Sequence, residues 1–199
     1  MKLLNPGYSG TGGSLYYNSG SGSCYSGENN ATKTCDFTST GIKNDTTRNL
    51  ISDTLYYLGG WNDFEIFSNQ IYSYERGTTV YSGRPTTWTG KIALPYPSDY
   101  GYAADLGSCT VQLGSYEDTN CTSTNWMKNI ITNNGNSIGW LLTPNSSISY
   151  YVWIVDSSGY VDNYSNGTFY AGGVSPVLYL GSELGIGSGT GTNSDPYRL

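Results

Sequence analysis

The acid–base chemistry open to this chain rests on carboxylates. A pair drawn from Glu65, Glu75, Asp99, Asp105, Glu117, Asp118, Asp156 and Asp162 could flank a glycosidic bond, one as general acid and the other as base or nucleophile. Nothing in their spacing selects two of them. The chain contains no histidine, which removes imidazole-dependent serine and cysteine triads, zinc enzymes with His ligands and His-dependent phosphoryl chemistry. A catalytic function is therefore not expected, and no cofactor is expected.

Binding chemistry is concentrated from Gly139 to Leu180, where two residue alphabets alternate. Trp140, Leu141, Leu142, Pro144, Val152, Val155, Gly159, Val161, Val174, Pro176, Val177 and Leu178 read as buried strand and turn residues. Between them, Ser149, Tyr150, Tyr151, Trp153, Asp156, Tyr160, Asp162, Asn163, Tyr164, Phe169 and Tyr170 read as ligand-binding positions, with Asn145 and Ser146 beside them. Tyr and Trp supply large rigid contact area at low entropic cost, while Ser, Gly and Asn supply adaptable hydrogen bonds. The competing reading is a sheet face packed by a neighbouring subunit, and Trp153 is the ring most suited to a core. The Gly172-Gly173 pair, which lets the backbone bend, favours an exposed face.

Metal and phosphate motifs fare worse. Trp61-Asn62-Asp63 matches a three-residue element of calcium-dependent sugar binders, yet no Glu-Pro-Asn, Gln-Pro-Asp or DxDxDG sequence accompanies it. A turn with a core Trp is the favoured reading. The Gly-rich run at 185–189 lacks a following Lys-Ser/Thr and a helix, so it is not a phosphate loop. Several Asn-x-Ser/Thr triplets reflect composition.

The cysteines fall as two local pairs, Cys24 with Cys35 and Cys109 with Cys121, each enclosing a Gly/Ser/Thr/Asn-rich loop. Their even number and the lack of CxxC spacing favour disulfides over zinc. Pairing across the two sets is not excluded by sequence. Disulfides, a charged fraction of only 12% and abundant Ser, Thr, Asn and Tyr point to an extracellular or cell-surface location. The net charge of -6 and the lack of a basic run argue against nucleic acid or anionic membrane as partners. Met1 to Asn5 carries no signal-peptide pattern, and no run of about 18 apolar residues occurs, so the chain as given is expected neither to export nor to anchor itself.

The elements expected to hold these residues are few. Residues 1–23, rich in Gly and Ser, read as a flexible lead-in, and residues 24–199 as one domain with its ligand-binding stretch at about 139–180. Asn44 to Leu58 reads as a helix, capped near Asn44 to Thr46, with Leu50, Ile51, Leu55 and Leu58 at helical spacing and Gly59-Gly60 as the stop. A second, shorter helix is expected from Thr124 to Thr132, with Trp126, Ile130 and Ile131 on its buried side and Asn134-Gly135 ending it. Short strands are expected at Lys91 to Leu94, Trp140 to Leu142, Val152 to Val155, Tyr160-Val161 and Val177 to Leu180. Asp156-Ser157-Ser158-Gly159 marks a turn, making Val152 to Val161 a β-hairpin. The fold class expected is α+β.

The same residues carry a family resemblance. The 139–180 stretch resembles the variable region of hypervariable proteins diversified by retroelements, in which adenine-rich codons are rewritten to give this alphabet on a C-type-lectin-like scaffold. The blocks from Tyr74 to Pro85, Trp88 to Lys91 and Tyr96 to Ala103 resemble the body of a bacterial subset with pilin-like N-termini. Leu180-Gly181-Ser182 and Gly189 to Thr192 before Pro196-Tyr197 are similar to that subset's ending. Ser175-Pro176 departs from it, because an Arg usually precedes this Pro. The resemblance implies a C-type-lectin-like fold with two helices and a small, mainly antiparallel twisted sheet. It further implies non-catalytic recognition of a protein or glycan ligand at a surface, as an adhesin or receptor, and assembly into a pilus-like fibre through an N-terminal helix missing from this sequence. The scaffold is shared with formylglycine-generating enzymes, but the cysteines here all precede the variable region and that activity is not implied. The alternatives are a structural pilin-like fibre subunit and a carbohydrate-binding module.

Overall fold

The computed structural model describes residues 48–132, 138–163, 167, 172–192 and 194–198. Within them the chain is mixed α+β. Strands β1 (Thr54–Tyr57), β2 (Thr87–Gly90), β3 (Ile92–Ala93), β4 (Ile138–Pro144), β5 (Val152–Asp156), β6 (Val161–Asp162) and β7 (Val177–Leu178) form three small antiparallel sheets. Helix α1 (Ser68–Glu75) lies between β1 and β2, and α2 (Pro97–Tyr102), α3 (Thr119–Thr122) and α4 (Trp126–Thr132) lie between β3 and β4. The expected lead-in lies outside the described residues.

The expected first helix is corrected. Only Arg48 and Asn49 have helical geometry among the described residues of that segment; Ile51 bridges to Leu180, and Thr54 to Tyr57 pairs with β2 in the register Thr54↔Gly90 to Tyr57↔Thr87. Alternation wins over the helical spacing, because Tyr56 is buried while Leu55 and Tyr57 are exposed. Gly59 and Gly60 are not a helix stop. A Cβ on Gly59 would lie 2.1 Å from the Tyr74 carbonyl oxygen, and one on Gly60 would lie 2.5 Å from that of Pro144. Close backbone approach, not helix termination, requires glycine there.

The second helix forms, starting two residues later than expected, and its expected buried side is corrected. Ile131 is inside, but Trp126 and Ile130 are exposed and Met127 is buried instead, because that face of the helix packs on the main core. Its expected Asn134-Gly135 stop lies outside the described residues. Asn125 caps the helix, its Oδ1 accepting from the Met127 and Lys128 amides at 3.0 and 3.2 Å, while its Nδ2 donates to the Tyr100 carbonyl at 2.8 Å. Helix α2 starts on Pro97, and the Asp99 carboxylate accepts from the Tyr96 amide at 2.9 Å. Helix α1 begins similarly, with Gln70 Oε1 accepting from the Phe67 amide at 3.1 Å.

The hairpin also forms as expected. β5 lies between β4 and β6, with Trp140↔Ile154 on one side and Val155↔Val161 on the other. Its central residues Trp153, Ile154 and Val155 are all buried, so both faces of the strand meet protein. One core gathers Ile71, Tyr100, Leu113, Tyr116, Ile131, Leu141, Trp153, Val155 and Val161; a smaller one gathers Tyr56, Ala93, Tyr96 and Leu142. Of the expected scaffold residues, Val174, Pro176 and Leu178 instead keep exposed surface, because β7 pairs only with the two-residue β3 at the edge of the smaller core.

Candidate recognition surface

The half-exposed tyrosines of the variable stretch stand on two tight loops. In the first, Asn145 is itself buried rather than displayed. Its Oδ1 accepts from the amides of Ser147 and Ile148 at 2.8 and 3.0 Å, its Nδ2 donates to the Asn163 carbonyl at 3.1 Å, and its amide donates to the Tyr151 carbonyl at 3.0 Å. These bonds close the loop and leave Ser149, Tyr150 and Tyr151 partly accessible at its end. The rings of Tyr150 and Tyr151 meet edge to face at 4.8 Å.

The second loop is the hairpin turn. Asp156 Oδ1 accepts from the amides of Ser158, Gly159 and Tyr160 at 2.8, 3.1 and 3.1 Å, so this carboxylate organises the turn. Gly159 has a φ of 101°, and its carbonyl accepts from the buried Tyr100 hydroxyl at 3.2 Å. Tyr160 follows, half-buried, edge-on to Phe64 at 5.7 Å. Burial, and then the carboxylates of Asp162, Glu117, Asp156 and Glu65, raise its phenol above the ordinary value, so it stays a neutral hydroxyl.

Three expected contact residues lie inside. Trp153 is fully buried, and its Nε1 donates to the Trp61 carbonyl at 3.2 Å. Asn163 is fully buried, its Nδ2 donating to the same carbonyl at 3.3 Å and its amide to Asp162 Oδ1 at 2.7 Å; Asp162 is 4% exposed. The cause is that the Trp61 segment covers the hairpin from one side and the main core from the other. These positions support the surface from beneath. Tyr164, Phe169 and Tyr170 lie outside the described residues, as do Cys24 and Cys35.

Cys109 and Cys121 are bonded, with Cα atoms 4.6 Å apart. Ser175, where the resembling family has Arg, donates its hydroxyl to the Ile130 carbonyl at 3.1 Å and ties the strand approaching β7 to α4. Trp61-Asn62-Asp63 forms a turn: Trp61 stacks on Tyr74 at 3.8 Å, and Asp63 Oδ1 accepts from the Glu65 amide at 2.9 Å. Among the described residues no three Asp, Glu, Cys or His side chains converge as a metal site, and no helix is long and apolar enough to cross a membrane.

Glu75, one of the eight candidate carboxylates, has a structural place that the sequence did not indicate. Glu75, at the end of α1, is fully buried; its carboxylate accepts from the Ser98 amide at 2.9 Å and from the Ser98 hydroxyl, and pairs with Arg76 at 2.9 Å. The Arg76 guanidinium lies over the Tyr72 ring at 3.5 Å. The cluster locks α1 to α2. A buried carboxylate leaves no periodic signal, and the adjacent Glu-Arg pair reads on sequence as ordinary surface charge. Two buried oxygens, Thr143 Oγ1 and Asn163 Oδ1, have no hydrogen-bond partner.

Comparison with known protein families, curated proteins and solved structures finds no match.

Proposed function

We propose that the chain is a non-catalytic recognition protein, displayed at the cell surface or outside the cell, that binds a protein or glycan ligand through a diversifiable Tyr/Ser/Asn surface. The supporting observation is the division of labour in the hairpin region. Trp153, Ile154, Val155 and Val161 are buried, whereas Ser149, Tyr150, Tyr151 and Tyr160 keep accessible surface on loops closed by Asn145 and Asp156. Such a design lets contact residues change while the loops that carry them keep their shape. The Cys109–Cys121 disulfide suits an oxidising location.

A C-type-lectin-like scaffold of the retroelement-diversified, pilin-like kind is part of this proposal and rests on the sequence resemblance. Its test is genetic. A near-copy of the DNA encoding residues 139–180, differing mainly at adenines, is expected beside the gene. Its absence, together with identical 139–180 sequences in separate isolates, would remove the diversification reading. A structural fibre subunit is the second reading, favoured by the exposed Val174, Leu178 and Leu180 at the edge of the fold.

A further inference from the structure

A groove away from the tyrosine loops shares no residue with them. It is open, about 400 Å³ in volume, and runs between α2, the start of α4 and β7. Met127 and Leu178 contribute to its apolar lining, and three aromatic rings border it: Tyr102, Trp126 and Tyr179, exposed by 47%, 65% and 56%. Exposed rings at this density are unusual on a surface with no further role.

Asp99 adds the charge. One of its carboxylate oxygens, Oδ2, accepts from the Tyr96 amide at 2.9 Å, and among the described residues no donor bonds the other. The nearby cation Arg76 is committed elsewhere: its guanidinium bonds Glu75 Oε2 at 2.9 Å and the Tyr72 carbonyl at 3.3 Å. Among the described residues Asp99 therefore has no salt-bridge partner, and Arg76 acts on it only through its longer-range charge. Although the residue as a whole is exposed, protein atoms crowd its carboxyl, and this desolvation raises its pKa from the ordinary value. A cation entering the groove would gain the free Oδ1 as hydrogen-bond acceptor and the faces of electron-rich rings as neighbours.

We propose that this groove is a binding site for a lysine side chain presented by a protein partner, its ammonium on Asp99 Oδ1 and its methylene stem against Met127 and Leu178. The free acceptor favours an ammonium with N–H donors over a quaternary one. The apolar lining suits a four-carbon stem, because lysine buries its methylenes while keeping its head polar. The chain's net charge of -6 suits a basic partner. The site does not depend on the tyrosine loops being a recognition face.

The test follows the Trp126 indole N–H by NMR, assigned through Trp126→Phe, during titration with N-acetyl-lysine methylamide. A saturable shift is expected, weakened about tenfold by Asp99→Asn and abolished by acetylating the probe's amine. Asn at position 99 keeps an oxygen for the Tyr96 amide, and an unchanged thermal midpoint verifies that the variant is folded. Tyr179→Ala, at an exposed position on the groove, is a second variant expected to weaken binding, read from the same Trp126 resonance. The norleucine analogue binding as well as lysine would overturn the proposal, since charge would then be irrelevant. Tighter binding of choline would overturn it in favour of a quaternary headgroup, and a Trp126-dependent dimer in sedimentation would overturn it in favour of a second copy of the chain. Absence of any shift would overturn it outright.

Discussion

The indole N–H of Trp153 donates to the backbone carbonyl of Trp61 at 3.2 Å, joining the central strand of the hairpin to a turn 92 residues earlier. Asn163 donates to the same oxygen at 3.3 Å. One carbonyl thus fixes both strands beneath the candidate surface, and Trp61 is held in turn by its stack on Tyr74.

Support and display residues are therefore expected to respond differently to truncation. Trp153→Ala removes a fully buried ring and a hydrogen bond, and should cost about 3–5 kcal/mol. Tyr150→Ala and Tyr151→Ala, at half-exposed positions, should each cost about 1 kcal/mol or less. Chemical denaturation of the three variants measures this without knowing the ligand. If the tyrosine variants unfold as readily as Trp153→Ala, those rings are core and the recognition surface lies elsewhere.

How much of this was readable beforehand depends on whether the signal was local. The hairpin was legible because Asp156-Ser157-Ser158-Gly159 is turn chemistry flanked by β-branched residues; α4 was legible as an element, but of the residues assigned to its buried side only Ile131 is inside, since tertiary packing buries Met127 and leaves Trp126 and Ile130 exposed. The segment ending in Gly59-Gly60 was not. Its leucines fit a helix, but pairing with β2 and the close approach of the Tyr74 and Pro144 carbonyls decided its conformation, and neither is local. In the candidate surface, the outward Tyr150 and Tyr151 followed from composition. Trp153, Asp162 and Asn163 were misplaced because β5 and β6 are covered on both faces, which alternation along one strand cannot reveal.

The hairpin turn depends on a glycine. Gly159 has φ of 101°, and a Cβ there would lie 2.9 Å from Thr122 Cγ2 and 3.2 Å from the Tyr116 carbonyl oxygen. Gly159→Ala is expected to destabilise the protein by about 1–3 kcal/mol. It should also shift the amide resonances of Ser158 and Tyr160, which share the Asp156 carboxylate. Unchanged stability would mean that the turn adopts another conformation in solution.

The disulfide between Cys109 and Cys121 closes a short loop that includes the start of α3. Joining residues at this separation restricts the unfolded chain by roughly 3 kcal/mol in the loop-entropy treatment. Replacing both cysteines by serine should lower the thermal midpoint, with a somewhat larger effect than entropy alone because Cys109 and Cys121 are buried in the core. Recovery of free thiols at both positions from protein exported through an oxidising compartment would contradict the pairing and weaken the extracellular reading.

The buried carboxyl of Glu75 is pushed up from 4.5 to about 7 chiefly by burial, against the opposing pull of the Ser98 donors and Arg76. The folded protein then holds a proton that the unfolded chain has already released across this interval. Stability from this group is full below about pH 4.5 and is lost as pH rises to about 7, on the order of 3 kcal/mol in total. Asp99, also raised by desolvation, acts in the same direction. Glu75→Gln keeps an oxygen for the Ser98 amide and cannot ionise, so its stability should decline less steeply with pH than that of the wild type. Denaturant titrations of both proteins between pH 4.5 and 8 isolate the difference. Should the wild type instead gain stability relative to Glu75→Gln as pH rises, the Ser98 and Arg76 bonds outweigh desolvation, and Glu75 is an ionised strut between α1 and α2.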